Sequence, residues 1–297
     1  MSRLISILCV VSAIGIGMTA WFLLKDDADS LQIPSAPSTT ERRNGQINTK
    51  PSSTETTTSA AQRLLESART KCSLEALEPV IKQLQDQANE SRSAETWHCL
   101  AEGFLARAMQ RTHLMGMAPG KPTFSELPDD FANDLEAGLK AVKKAREHGD
   151  ESGELYRIEA SLMSQHIIGL GSALKWNGKI SEALKTAGER QPNDPQLHVA
   201  LGLRKLLAPT WLGNDPAKAL EHFEFAVGAT RDERPAVFAA MASHLQKKRE
   251  AAIKWLEQAM QRNPNNKYAR VVLKRLRDGE DDPFGRDVSE AEAQASK

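Results

Sequence analysis

Residues 211–230 are Trp-Leu-Gly-Asn-Asp-Pro-Ala-Lys-Ala-Leu-Glu-His-Phe-Glu-Phe-Ala-Val-Gly-Ala-Thr, and this stretch decides the fold. The Asp215-Pro216 pair predicts a helix start, because an N-cap aspartate accepts free amide hydrogens and proline at the first position needs no donor. Behind it, Ala219, Phe223 and Ala226 fall on one helical face. Two small residues flanking a large ring allow another helix to approach closely while the ring fills the gap. The stretch therefore predicts a helix that packs on further helices.

Composition agrees with a helical chain. The 297 residues include 39 basic and 39 acidic side chains, so the net charge is zero. This balance argues against a nucleic-acid-binding protein driven by phosphate neutralisation. Aromatic residues are only 5% of the chain. Alanine, leucine, lysine, glutamate and glutamine dominate, which favours an all-α fold.

A second motif shows that the helices repeat. Trp97, Leu100, Ala101 and Phe104 have the spacing W-x2-L-A-x2-F, which resembles the first helix of a tetratricopeptide repeat (TPR). The second TPR helix carries small, large and small residues at spacings of four and three, as residues 219–226 do, and then a proline. The further matches to this second-helix pattern are Gly138, Val142 and Ala145; Leu184, Ala187 and Pro192; and Ala252, Leu256, Ala259 and Pro264.

This resemblance implies a TPR-like superhelix of antiparallel helix pairs, within a domain of residues 59–277. We expect four repeats, at about 94–150, 153–192, 194–231 and 233–264. Two helices within 59–88 should precede them, and a helix at 266–277 should cap the stack. The alternative is an irregular helical bundle, since small residues at helical spacing are common.

The N-terminus predicts a membrane anchor. Residues 4–24 are 21 residues without charge, enough for a helix to cross a bilayer. A cleaved signal peptide is the rival interpretation, but the run is long and lacks an Ala-x-Ala site. The basic bias of Arg3 and the terminal amine places residues 1–3 inside, and hence the bulk of the chain on the extracytoplasmic side, the periplasm of a bacterium. Residues 25–58, rich in Ser, Thr and Pro, predict a flexible tether.

Three insertions depart from the ideal repeat. They lie at about 112–130, 169–179 and 208–214, each between the two helices of a repeat, so they should gather along one edge. All three contain apolar residues, Trp211 and Leu212 among them. They either fold over the helix ends or form a hydrophobic binding site.

The resemblance also implies which residues line the concave groove, since in TPR proteins the first helix of each repeat faces it. With the inserted residues Trp211 and Leu212, the candidate partner-binding residues are His98, Glu102, Arg157, Val199, Leu203, Val237 and Met241. They do not resemble the Lys/Asn set that clamps a C-terminal carboxylate in some TPR domains. The apolar groove of the third and fourth repeats suits an amphipathic helix or an extended hydrophobic peptide.

No motif predicts an enzyme, a cofactor or a metal site. The seven histidines show no His-Glu-x-x-His spacing, and residues 116–123 lack the glycine spacing of a phosphate loop. Cys72 and Cys99 are either buried thiols or one disulfide.

Charges segregate near the C-terminus. Ten basic residues fall within 245–277, and the acidic stretch 278–297 follows. We expect a solvated basic face and a disordered tail; the alternative is an acidic partner or lipid head groups on the basic face, with the tail competing.

Two functions are compatible with these observations. The first is a membrane-tethered TPR scaffold that recruits a protein through its groove and inserted loops. The second rests on Gly213-Asn214-Asp215, which resembles helix starts in the TPR component of bacterial TRAP-type transporters. It implies a periplasmic accessory protein that binds a hydrophobic small ligand. A scaffold should have a continuous open groove, and a ligand-binding protein an enclosed apolar pocket under the insertions.

Overall fold

The computed structural model describes residues 60–210 and 213–296. In these ranges the chain is all-α, with twelve helices and no strand. The helices are α1 Ala60–Arg69, α2 Leu74–Ser91, α3 Ala94–Arg111, α4 Asp129–Glu147, α5 Gly153–Ser164, α6 Leu170–Arg190, α7 Pro195–Leu207, α8 Pro216–Ala229, α9 Arg234–Leu245, α10 Arg249–Arg262, α11 Lys267–Asp278 and α12 Glu290–Ala295.

None of the helices in residues 60–210 and 213–296 is long and apolar enough to cross a bilayer. The predicted anchor, residues 4–24, and the predicted tether, residues 25–58, lie outside the described residues.

Consecutive helices pack in pairs: α3 with α4, α5 with α6, α7 with α8, and α9 with α10. Short polar side chains begin many of them. The Asp215 carboxylate accepts from the amides of Ala217 and Lys218 at 3.2 and 3.0 Å, as the Asp-Pro pair predicts. The other side chains that cap a helix N-terminus are Ser73, Ser93, Ser152, Asp194, Asn266 and Ser289.

The small–large–small pattern is a packing device. Ala219, Phe223 and Ala226 are fully buried. The Phe223 ring lies against Gly202 of the preceding helix, where an added Cβ would stand only 2.5 Å from the ring atom Cε1. Gly138 of α4 makes a similar accommodation between the first and second pairs, where a Cβ would lie 2.8 Å from Leu162 Cδ2 of α5. Glycine on one helix and a large side chain on its neighbour thus set the helix spacing.

The first insertion, which we define by the structure as residues 112–128, crosses the molecule. The Gly120 amide donates to the Leu207 carbonyl at the end of α7 at 3.0 Å. The Met117 amide donates to the Phe284 carbonyl at 2.8 Å. The insertion therefore joins the first repeat to both the third repeat and the C-terminal segment.

The second insertion differs from expectation. Residues 170–179 are not a loop but the first turns of α6, which runs for 21 residues. Leu170 and Leu174 on these turns are 52% and 49% exposed. The turns form because a helix that is already started can extend at little cost, even through Gly171 and Gly178.

The C-terminal segment also differs from expectation. We define it as residues 279–296; it was expected to be disordered, but Phe284, Val288 and Ala293 are buried. The Arg275 side chain is 2% exposed and donates to the carbonyls of Pro283, Arg286 and Asp287 at 2.9–3.1 Å. A few apolar anchors and one buried guanidinium therefore order a segment whose average composition is acidic.

The turn between α1 and α2 reaches the far end of the repeat array. The Asn265 side-chain amide donates to the Thr70 carbonyl at 3.2 Å. The Asn263 side-chain amide lies 3.5 Å from the Cys72 sulfur. Cys72 and Cys99 are thiols rather than a disulfide.

Candidate functional site

Several helices and the first insertion line a partly open cavity of about 190 Å³. It lies between the end of α3, the first insertion, the end of α7 and the starts of α9 and α11. Much of its wall is apolar, formed by Met109, Met117, Leu203, Leu207, Val237 and Phe238. We call this space the main cavity. It is partly open to solvent, so its form lies between an enclosed ligand pocket and an open groove.

A smaller cavity of about 90 Å³ adjoins it. The two share several lining residues, including Leu203 and Phe238, and the smaller one extends to Arg157 and Val199 of the second and third repeats. The two neighbouring cavities together extend from the first insertion to the second repeat.

An ionic network forms the polar side of the main cavity. Asp232, which precedes α9, lies 3.6 Å from the Arg69 guanidinium and accepts from Arg234 Nε at 3.0 Å. The Gln196 side-chain amide donates to Asp232 at 3.2 Å. Burial raises the pKa of Asp232 to about 7, against the opposing field of Arg69. The network thus places buried charge beside an apolar wall.

Other ionisable groups at the cavity are held neutral. Burial lowers the pKa of His113, on the first insertion, to about 4. Burial, reinforced by the Glu233 carboxylate, raises the pKa of the Cys72 thiol to about 12. At neutral pH the insertion side of the cavity therefore presents a neutral imidazole and the α1–α2 turn a neutral thiol.

Several of the residues predicted from sequence lie together. Glu102, Arg157, Val199 and Leu203 line the smaller cavity. Leu203 and Val237 line the main cavity. Four helices, α3, α5, α7 and α9, bring them together, as expected if the first helix of each pair faces inward.

The remaining predicted residues are placed differently. Met241 is 1% exposed and belongs to the same core cluster as Phe284 of the C-terminal segment, and Leu114 of the first insertion packs against this cluster. Of the two residues expected in the apolar groove of the fourth repeat, Val237 therefore lines the main cavity and Met241 is buried in the core. Trp211 and Leu212 lie outside the described residues. The assignment of all these residues to partner binding stays a prediction.

His98 lies apart from both cavities and is 8% exposed. Its Nδ1 is 2.6 Å from an Asp150 carboxylate oxygen. Burial lowers the pKa of His98, but the Asp150 bond and the Glu154 carboxylate outweigh it and raise the pKa above its ordinary value. Burial in turn raises the pKa of Asp150, yet hydrogen bonds from His98 and Ser152 bring it down to about 2.

Sequence patterns did not identify Arg69, Asp232 or Met109 as part of the site. Arg69 lies in α1, before the first repeat, and Asp232 lies in a connection between repeats. Tertiary structure brings these three residues together from separate parts of the chain. No spacing pattern within one helix therefore identifies them. The apolar character of the first insertion was the available signal, since apolar loops must pack on something.

Comparison with known proteins gives a fold-level likeness. No family model matches the chain, and no curated protein sequence matches it. Among solved structures the chain is similar to the crystal structure of YrrB, described as a TPR protein with an unusual peptide-binding site. The identity is 14%, the match covers 70% of this chain and 94% of that one, and the TM-score is 0.33. A likeness at this level carries no argument about function.

Proposed function

We propose that this chain is a non-enzymatic helical-repeat scaffold that recruits a protein partner by taking an apolar side chain of that partner into the main cavity. The carrying observation is the cavity itself. Its wall of methionine, leucine, valine and phenylalanine side chains can bury an apolar group, and each buried aliphatic or aromatic side chain contributes about 1.5–3 kcal/mol.

The ionic network supports a peptide as the ligand. Arg69, Asp232 and Arg234 lie beside the apolar wall, where they can exchange hydrogen bonds with the backbone of a bound segment. Apolar anchors with a few placed polar groups are typical of peptide recognition. The flexible side chains of Met109, Met115 and Met117 can adapt to the shape of the anchor.

The membrane tether belongs to the same proposal. The uncharged residues 4–24 would hold the repeat domain at a bilayer, with the linker 25–58 setting its reach. The domain would then lie on the extracytoplasmic side. A glycosylation-accessibility or protease-protection assay on membrane vesicles tests this orientation. A repeat domain found on the cytoplasmic side of the membrane would contradict it.

A second candidate is a periplasmic accessory protein that binds a hydrophobic small molecule for a transporter. The apolar wall of the main cavity, to which the first insertion contributes, favours it. The resemblance of Gly213-Asn214-Asp215 to TRAP-associated TPR proteins is its other support.

Filling the cavity tests the proposal. Leu203 lines both recesses and is only partly buried, so Leu203→Trp should fill the space without dismantling the core. Leu245→Trp is the matched control, because Leu245 is 37% exposed at the end of α9 and lines neither cavity. Peptides selected by display on the full-length chain are measured by fluorescence anisotropy against both variants and the wild type.

The scaffold predicts that selected peptides share an apolar anchor and bind Leu203→Trp at least about tenfold more weakly, with Leu245→Trp unchanged. Equal peptide affinity for Leu203→Trp and wild type would refute it. The second candidate is read separately with N-phenyl-1-naphthylamine, a small apolar fluorophore. Saturable probe binding that Leu203→Trp abolishes, with no peptides selected, would favour the small ligand.

A further inference from the structure

We propose that His98, Glu102 and Glu154 form a binding site for a divalent transition-metal ion, on the inner side of α3 and the first turn of α5. One ligand atom from each residue lies within 4.8 Å of the others. None of the three residues lines the main cavity, and the argument for the site does not rest on the proposed function.

The observation that points to an ion is the state of the His98 ring. Its Nδ1 is 2.6 Å from Asp150, an acceptor, so Nδ1 carries a proton and donates it. Its Nε2 is buried, has no hydrogen-bond partner, and lies 3.7 Å from Glu154 Oε2. In the neutral ring Nε2 carries a lone pair, and this lone pair faces the Glu154 carboxylate. Two acceptors in this position need a positive charge between them, either a proton or a metal ion.

The ligands are held by groups behind them. The Arg69 guanidinium bonds to Glu102 Oε1 at 3.2 Å, and Arg157 reaches Glu154 Oε1 at 3.4 Å. Each contact occupies one oxygen and leaves the carboxylate its second oxygen. Asp150 itself is fixed by the Ser152 amide at 2.8 Å. An imidazole that is oriented by a carboxylate on its far nitrogen is the usual arrangement of a metal-binding histidine.

The donor set selects the class of ion. One imidazole nitrogen and two carboxylate oxygens suit Zn²⁺ or Mn²⁺ better than Ca²⁺, which takes six to eight oxygens. Ligand atoms around a tetrahedral Zn²⁺ stand about 3.4 Å apart at bond lengths near 2.1 Å. The 3.7 Å between His98 Nε2 and Glu154 Oε2 is close to that value. The Glu154 side chain is 36% exposed and can move the short remaining distance.

An ion can also reach the site. Glu102 and Arg157 line the smaller cavity, so water and a hydrated ion have access from the inner face. A three-ligand site leaves a coordination position for that water.

The test is a calorimetric titration, in which Zn²⁺ is added to the chelator-treated full-length chain and the heat of binding is measured. We expect one ion per chain. Glu154→Gln should weaken binding by about tenfold or more, because the amide is a poorer ligand than the carboxylate. Glu154 is the informative position, since its partial exposure lets the variant fold. His98→Gln should abolish the binding.

His166→Gln is the matched control. His166 Nε2 is also buried without a hydrogen-bond partner. Its ring stacks on Trp176, and it is not part of a cluster of carboxylates that could hold a metal ion among the described residues. Its variant should bind Zn²⁺ within about twofold of wild type. The absence of saturable binding, or equal affinity of wild type and Glu154→Gln, would overturn the proposal and leave a protonated His98 in the gap.

Discussion

Replacement of Arg275 by alanine should release the C-terminal segment. The Arg275 guanidinium is almost wholly buried and donates to three backbone carbonyls of that segment. It also makes paired bonds to Glu292 at 2.8 and 2.7 Å. The alanine variant removes all of these bonds together. The three carbonyls and the Glu292 carboxylate then lose the donors that one side chain supplied.

The magnitude follows from two limits. Loss of one partner from a buried ion pair costs about 3–5 kcal/mol. Here Glu292 is 25% exposed and the freed carbonyls can meet water once the segment detaches, which lowers the effect. We therefore expect the free energy of unfolding to fall by about 3 kcal/mol. The same variant should also free Phe284 and Val288 from the first insertion.

The assay combines urea denaturation with amide hydrogen exchange. The Val288 amide donates to Leu114 at 2.7 Å and the Met117 amide to Phe284, so both should lose protection in the Arg275→Ala variant. Arg277→Ala is the control. Arg277 is 55% exposed and pairs with Glu257 on the surface, so its loss should change stability by less than about 0.5 kcal/mol. A loss below about 1 kcal/mol for Arg275→Ala, with unchanged protection of both amides, would refute the reasoning.

Three further predictions concern packing, buried charge and pH. Gly202→Ala should destabilise the protein by about 1–3 kcal/mol in urea denaturation, because its methyl group meets the Phe223 ring, and Phe223→Leu in the same chain should recover part of the loss. Asp134→Ala should cost about 3 kcal/mol, since the carboxylate is 2% exposed between two arginine side chains, whereas Asp130→Ala, at 79% exposure, should stay within about 0.5 kcal/mol; equal losses would contradict this. The Arg275 hydrogen bond lowers the pKa of Glu292 to about 2, so the stability it contributes is present above about pH 4.3 and is lost as the pH falls towards 2; Glu292→Gln should flatten the stability profile in that window.

Local patterns were sufficient for the helix pairs. The buried positions of Ala219, Phe223 and Ala226 follow from helical spacing, and the Asp215 cap follows from residue type. These features depend only on neighbours in sequence. Gly202 shows the limit, because its close approach to Phe223 is a property of two packed helices and no spacing within one helix reveals it.

Long-range features were missed for the same reason. The segment after Asp278 has few apolar residues, so its composition predicts disorder. Burial of Phe284 and Val288 is nevertheless sufficient to order it, because Arg275 donates hydrogen bonds to neighbouring carbonyls. The covering of Met241 could not be predicted either. Met241 shares its core cluster with Phe284, and the C-terminal segment bonds to the first insertion, from which it is separated by more than a hundred residues.

The contact between the two ends of the array changes how the protein should unfold. In an open solenoid each repeat touches only its neighbours, so the array can fray from either end and its transitions broaden. Here the turn after α1 bonds to Asn265, 195 residues away, and the first insertion bonds to the C-terminal segment. Neither terminal helix pair can detach without breaking bonds to the opposite end. The repeats are therefore linked as a ring rather than a row, and the domain should lose its structure in a single cooperative step.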